Sequence, residues 1–144
     1  MHMVKDPALQ NNIFIDSDAV IALASVNDSN HSSALKLQKF IDKSKCNITT
    51  SDFVVGEIVT VLSQKFGVDF ATKIGQQMMN GGISLICVSN NQMKLAMKKF
   101  SKQTSKNSRF TDMINMVLMD ELKIDTIFSF DKHYPKNGYK LLYR

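Results

Sequence analysis

Cysteine is scarce in this chain: Cys46 and Cys87 are the only two, widely separated and each beside a predicted strand. They lack the clustered Cys/His spacing of a zinc site, and read as buried, reduced thiols of a cytosolic protein. No apolar stretch approaches the length of a membrane span. The N-terminus lacks the charged-then-apolar pattern of a signal peptide. Internal repeats, low-complexity tracts and linkers are also missing, which argues against a second domain. No Ser-His-Asp or Cys-His pattern suggests nucleophilic catalysis.

What remains is an ordinary globular mixture, 44% apolar and 22% charged over 144 residues, long enough for one hydrophobic core. The net charge of +5 is a moderate excess that favours a polyanionic partner. Residues 1–11 are read as a leader whose Met1-His2-Met3 opening could be a cloning remnant, and 12–144 as the domain.

Short apolar runs alternate with longer helical patterns. Strands are expected at 12–16, 46–50, 83–88 and 124–130, with a last edge strand at 139–143. Helices are expected at 18–25, 31–41, from Ser51 or Asp52 to Phe66, at 69–80 and 90–104, and from Ser108 or Thr111 to Leu122. Ser51 or Asp52 supplies a cap, and Gly67 and Gly81-Gly82 supply stops. Such alternation predicts an α/β fold: a central, mostly parallel sheet of four to five strands covered by helices on both faces. Ligands of these sheets bind outside the carboxyl ends of the strands.

Four carboxylates stand where that geometry matters. Asp16 closes the run Ile13-Phe14-Ile15 and Asp131 follows Ile124 to Phe130. Glu57 interrupts a helix of valines and isoleucines, and Asp112 opens another helix. Each also has a plain structural reading. Asp112 suits a helix N-terminus, Asp131 a turn, Asp16 a cap, and Glu57 a half-buried structural position. Glu57 resists its plain reading most, because it borders the apolar face formed by Val54, Ile58, Val61 and Leu62. Gly56 beside it costs helix stability and suggests a close neighbouring backbone. No basic residue is a clear sequence-local partner for Asp16 or Glu57. Buried charges must be paired or hold a metal, so a shared divalent cation is the economical explanation.

In this order the motifs resemble the PIN-domain family of metal-dependent ribonucleases, and most of all the VapC-type toxins of toxin–antitoxin pairs. The likeness runs through Ile13-Phe14-Ile15-Asp16-Ser17-Asp18, Asp28 to Ala34, Thr50 to Ile58 around Glu57, Ser108-Arg109-Phe110-Thr111-Asp112, and Phe128-Ser129-Phe130-Asp131-Lys132-His133-Tyr134. It covers nearly the whole chain, about 12–138. The resemblance implies a PIN-like single domain and an endoribonuclease whose acids Asp16, Glu57, Asp112 and Asp131 hold one or two Mg²⁺ or Mn²⁺ ions. It further implies products with a 5′-phosphate and a 3′-hydroxyl, a cytoplasmic homodimer, and a small antitoxin that inhibits it. Ser129 matches a position whose hydroxyl supports the metal site. Asp18 departs from the usual Ser, Thr or Asn: it could add a ligand, alter the metal preference or cap the helix, and the cap is the favoured reading.

Two other classes stay open. Asp16-Ser17-Asp18-Ala19-Val20 also fits the Asp-x-Asp-x-Val signature of haloacid-dehalogenase-like phosphatases, with Asp16 as nucleophile and Asp18 as general acid/base. That reading explains Asp18 but leaves Glu57 unexplained. The other is a non-catalytic RNA-binding or assembly domain, against which the presence of all four acids argues.

Lys94, Lys98 and Lys102 share one helix face, opposite a stripe of Met93, Ala96, Met97 and Phe100 expected to face the core. With Lys99, Lys106 and Arg109 they form a basic track toward Asp112, either a solvated face or a set of RNA phosphate contacts. No RNA-stacking motif accompanies them. Met113, Met116 and Met119, with Val117 and Leu122, are expected in core or dimer packing. His133 reads as an exposed loop residue, and Tyr134 as a possible substrate contact.

Overall fold

The computed structural model describes residues 12–142, so the leader and Tyr143 lie outside the described residues. The elements are β1 (Asn12–Ile15), α1 (Ser17–Ala24), α2 (His31–Ser44), β2 (Asn47–Ser51), α3 (Asp52–Phe66), α4 (Val68–Asn80) and β3 (Ser84–Ile86). They continue with α5 (Asn90–Phe100), α6 (Phe110–Leu122), β4 (Thr126–Phe128), α7 (His133–Lys136) and β5 (Lys140–Leu141).

All strand pairs are parallel, and the five strands lie in the order β3-β2-β1-β4-β5. The chain therefore leaves β1 in one direction for β2 and β3, then crosses back to its other side for β4 and β5. The crevice of such a sheet opens beyond the carboxyl ends at this reversal, between β1 and β4. Asp16 follows β1 there, and Asp131 lies just beyond β4.

Side-chain alternation along β1 feeds two cores. Phe14 packs with Ile127, with Val54, Ile58 and Leu62 of α3, and with the methionines of α6. Ile13, Ile15 and Phe128 face the other way, onto Ala19 and Ala22 of α1 and Ala34, Leu37 and Ile41 of α2. Helices thus cover both faces, as the α/β pattern predicts. Helix α6 is buried from Asp112 through Met119, so its three methionines belong to the core, while Leu122 is exposed.

Several expectations fail for identifiable reasons. Strand β4 ends at Phe128 because its partner β1 ends at Ile15, paired with Phe128, and the next free amide, that of Phe130, turns to the Asp18 carboxylate. Helix α5 stops at Phe100, where turns through Ser101 and Lys102 take over. Its expected core stripe is not one: Ala96 alone of the four is buried, and Met93, Met97 and Phe100 are exposed. Cys87 is exposed and Cys46 half-buried, so neither is the core thiol expected. Gly56 has no neighbour within 4 Å of an added Cβ. The close approach occurs instead at Gly75, where a Cβ would meet Val59 Cγ2 at 2.9 Å as α4 packs on α3. Gly67, at φ 92°, makes the turn between those two helices.

Candidate functional site

The backbone sets the first acid. Asp16 is the N-cap of α1, its Oδ1 accepting from Ser17 N at 2.7 Å. Its backbone N–H donates to Phe128 O at 3.1 Å, which ties the end of β1 to β4. Ser51 caps α3 from the end of β2 by accepting from Val54 N, and the next turn of that helix carries Glu57. Asp112 lies in the first turn of α6, where the helix dipole favours a negative charge. Asp131 reaches the same region from the loop after β4. Asp16 and Asp112 are fully buried, whereas Glu57 and Asp131 are partly open.

All four meet on one side chain. Arg109 Nη1 donates to Glu57 Oε1 at 2.6 Å, and Nη2 donates to Asp112 Oδ1 at 2.8 Å and Asp16 Oδ2 at 3.3 Å. Nη2 also lies 3.9 Å from Asp131 Oδ2. The missing partner of Asp16 and Glu57 therefore exists, 93 and 52 positions away in the chain. Arg109, expected to meet RNA phosphates, sits instead among the acids. Burial by itself would lower its basicity, but Asp112, then Asp16 and Glu57, outweigh that and hold the guanidinium above its ordinary range.

Charge crowding shows on the acids as well. Burial first, and the Asp16 charge after it, push the Asp112 carboxyl up to about 6 despite the nearby guanidinium. The same two causes raise Asp18 to about 6. Asp18 is not the cap expected, since Asp16 fills that role. Its Oδ2 accepts from Ser129 Oγ at 3.0 Å and Phe130 N at 2.7 Å, which ties α1 to the loop after β4. Ser129 Oγ in turn accepts from Asp131 N at 3.1 Å, so its hydroxyl acts on the backbone that presents Asp131.

Three further side chains complete the cluster. His133 is half-buried in α7, not an exposed loop residue, and its Nδ1 lies 2.8 Å from Asp131 Oδ1. A carboxylate only accepts, so Nδ1 carries the proton of this contact. Tyr134 is fully buried, and its hydroxyl lies 2.7 Å from Asp16 Oδ2 and 3.2 Å from Asp112 Oδ1. Asn115 Nδ2 donates to that hydroxyl at 2.9 Å and to Asp16 Oδ1 at 3.3 Å. Asn115 was missed in the sequence, where its one signal is a lone amide in the apolar run Met113 to Met119; His133 and Tyr134 stood out only as neighbours of Asp131.

The donor set suits a hard divalent cation. Asp112, Asp131 and His133 each bring a ligand atom within 4.8 Å of the others. Glu57 Oε2 and Asp112 Oδ2 are buried without a hydrogen-bond partner. Orphaned carboxylate oxygens are costly, and a cation would satisfy them. Lys94, Lys98, Lys102 and Lys106 are exposed and are not part of this cluster. Among the described residues, no helix is long and apolar enough to cross a membrane.

No protein-family model and no curated protein matches the sequence. Solved structures do. Mycobacterium tuberculosis VapC20, described as a sarcin-ricin loop cleaving toxin, superposes with a TM-score of 0.78 at 22% identity, over 88% of this chain and 95% of that one. VapBC2 from Rickettsia felis, bound to a DNA fragment from its promoter, superposes with a TM-score of 0.63 at 10% identity, over 90% and 96%. The PIN-like α/β fold expected from the motifs is thus the fold of this chain, shared with these VapC-type structures over nearly all of its length.

Proposed function

We propose that the chain is a metal-dependent endoribonuclease, and the toxin of a VapBC-type pair. The observation that carries this reading is the convergence of Asp16, Glu57, Asp112 and Asp131, from four separate places in the chain, at the carboxyl edge of the sheet. The four acids hold one or two Mg²⁺ or Mn²⁺ ions, directly or through water, with His133 beside them. When bound, such an ion lowers the pKa of water and offsets charge building on a phosphoryl group.

The chain's own residues do the rest. Asp18 and Ser129 fix the loop that presents Asp131. Arg109, at 39% exposure, carries a planar fork that suits a phosphate as well as a carboxylate, so RNA and the acids are alternative partners for it. The exposed Lys94, Lys98, Lys102 and Lys106 bind backbone phosphates and orient the strand without reading its bases. Without a metal the acids repel a polyanion, so cleavage depends on the ion.

The shared fold with a toxin that cleaves the sarcin-ricin loop supports RNA as substrate, and the likeness to VapBC2 supports a small antitoxin partner and a homodimer. The same reading makes the protein cytoplasmic and its domain a single nuclease unit. Two observations weigh against the phosphatase alternative. Asp18 Oδ2 accepts from the Ser129 hydroxyl and the Phe130 amide and so holds the loop after β4, and Glu57, for which that alternative has no role, sits among the clustered acids.

Asp16→Asn tests the proposal. RNA cleavage in Mn²⁺ is expected to vanish while the circular-dichroism spectrum stays that of the parent. Full cleavage by a clean Asp16→Asn preparation, or hydrolysis of a small phosphomonoester without action on RNA, refutes it.

A further inference from the structure

We propose that Tyr134, assisted by Asn115, is a positioning residue of the carboxylate cluster: a buried, uncharged donor that holds Asp16 and Asp112 side by side for a divalent cation. This rests on the reading of the acids as a metal centre.

Two fully buried carboxylates that approach one group repel each other unless something lies between them. Arg109 Nη2 bridges them, at 3.3 and 2.8 Å, but its charge competes with a cation for their oxygens. The phenol hydroxyl joins them without charge. It sits 2.7 Å from Asp16 Oδ2 and 3.2 Å from Asp112 Oδ1, so its one proton is shared, with the nearer acid favoured. Burial first, then the charges of Asp16 and Asp112, raise the phenol well above its ordinary range and keep it protonated. Asn115 donates to the phenol oxygen and to Asp16 Oδ1, which fixes both orientations from a second helix.

The consequence is directional. Asp112 Oδ1 is engaged by Tyr134 and Arg109, and Oδ2 is left buried and unpartnered. Hydrophobic packing alone does not call for the hydroxyl, because phenylalanine would fill the same volume. Tyr139 provides an internal control. It too is a buried tyrosine bound to a carboxylate, with its hydroxyl 2.7 Å from Asp120 Oδ1, outside the cluster.

Mn²⁺ titration calorimetry on the full chain, alongside melting temperatures in EDTA, decides the matter. Tyr134→Phe is expected to weaken Mn²⁺ binding by roughly 10- to 100-fold, the usual range for partners that orient metal ligands. Tyr139→Phe is expected to change stability alone. Unchanged Mn²⁺ affinity in Tyr134→Phe overturns the proposal, as does an equal loss in both variants, which would mark a general packing effect. If Tyr134→Phe fails to fold, Asn115→Leu is judged by the same titration, weaker binding supporting the role and unchanged binding overturning it. Parent protein that binds no Mn²⁺ overturns the metal-centre reading, and the positioning role with it.

Discussion

Replacing Arg109 with glutamine sets the chain's own cation against an added one. The guanidinium touches Glu57, Asp112 and Asp16 at 2.6, 2.8 and 3.3 Å. Removing one partner of a buried ion pair costs roughly 3–5 kcal/mol, because the other charge stays behind unpaired. Arg109 is 39% exposed, and solvent screening reduces that to roughly 2–3 kcal/mol. For a chain of this length such a loss lowers the melting temperature by roughly 5–10 °C. An ion held by the acids, as proposed, would face the opposite balance. It competes with Arg109 for the same oxygens, so Arg109→Gln binds Mn²⁺ more tightly, by about tenfold for each 1.4 kcal/mol of competition removed. Thermal melts in EDTA and across a Mn²⁺ series measure both effects. The variant should melt below the parent without metal, and the gap should close as Mn²⁺ rises. Equal melting temperatures in EDTA, or equal stabilisation of both proteins by Mn²⁺, would refute the reasoning. The sign is opposite to that expected for Tyr134→Phe, since one side chain competes with the ion and the other does not.

Further outcomes follow from burial and packing. Asp112 and Asp18 are raised to about 6, so folding takes up protons between the ordinary carboxylate range and that value. Their contribution favours the fold at acid pH and is lost as pH rises through about 6, by at most about 3 kcal/mol per group. Metal-free protein should therefore melt several degrees higher near pH 5 than near pH 7, and a flat profile would contradict this. Saturating Mn²⁺ should oppose that trend, because protons and ions compete for the same carboxylates. Gly56→Ala, with open space around it, should stabilise by about 0.5–1 kcal/mol in urea melts. Gly75→Ala should destabilise by roughly 1–2 kcal/mol, because its methyl meets a branched Val59 side chain that has little freedom to yield.

The strand-helix order, the parallel sheet and the convergence of the acids were all legible in the sequence. Periodicity and strand-end position are local signals, and Asp16 and Asp131 each sit at the end of an apolar run. Glu57 was legible for a similar reason, a charge bordering a face of valines. Arg109 was visible as a positive residue near Asp112, but its bonds to Asp16 and Glu57 depend on how α3, α6 and β1 pack. Asp18 misled because a carboxylate at a helix start normally caps it, whereas here Asp16 took that role and freed Asp18 to grip the loop after β4. The α5 stripe misled in another way. Its apolar spacing suits a core face, yet Ala96 is the one member of that stripe buried.

The hydroxyl that joins Asp16 to Tyr134 spans 118 positions of chain. The crevice lies where β4 pairs with β1, on the side of β1 away from β2 and β3. No N-terminal fragment can hold the whole cluster, since Asp131, His133 and Tyr134 follow Asp16, Glu57 and Asp112 in the chain. If the chain is the nuclease proposed, a nascent chain on the ribosome would stay inert toward RNA until β4 and α7 have docked. Local loosening of α7 would likewise withdraw His133 and Tyr134 together. On that reading cleavage would report on completed folding, and a proteolytic nick between α6 and β4 should abolish it even where most of the helices persist.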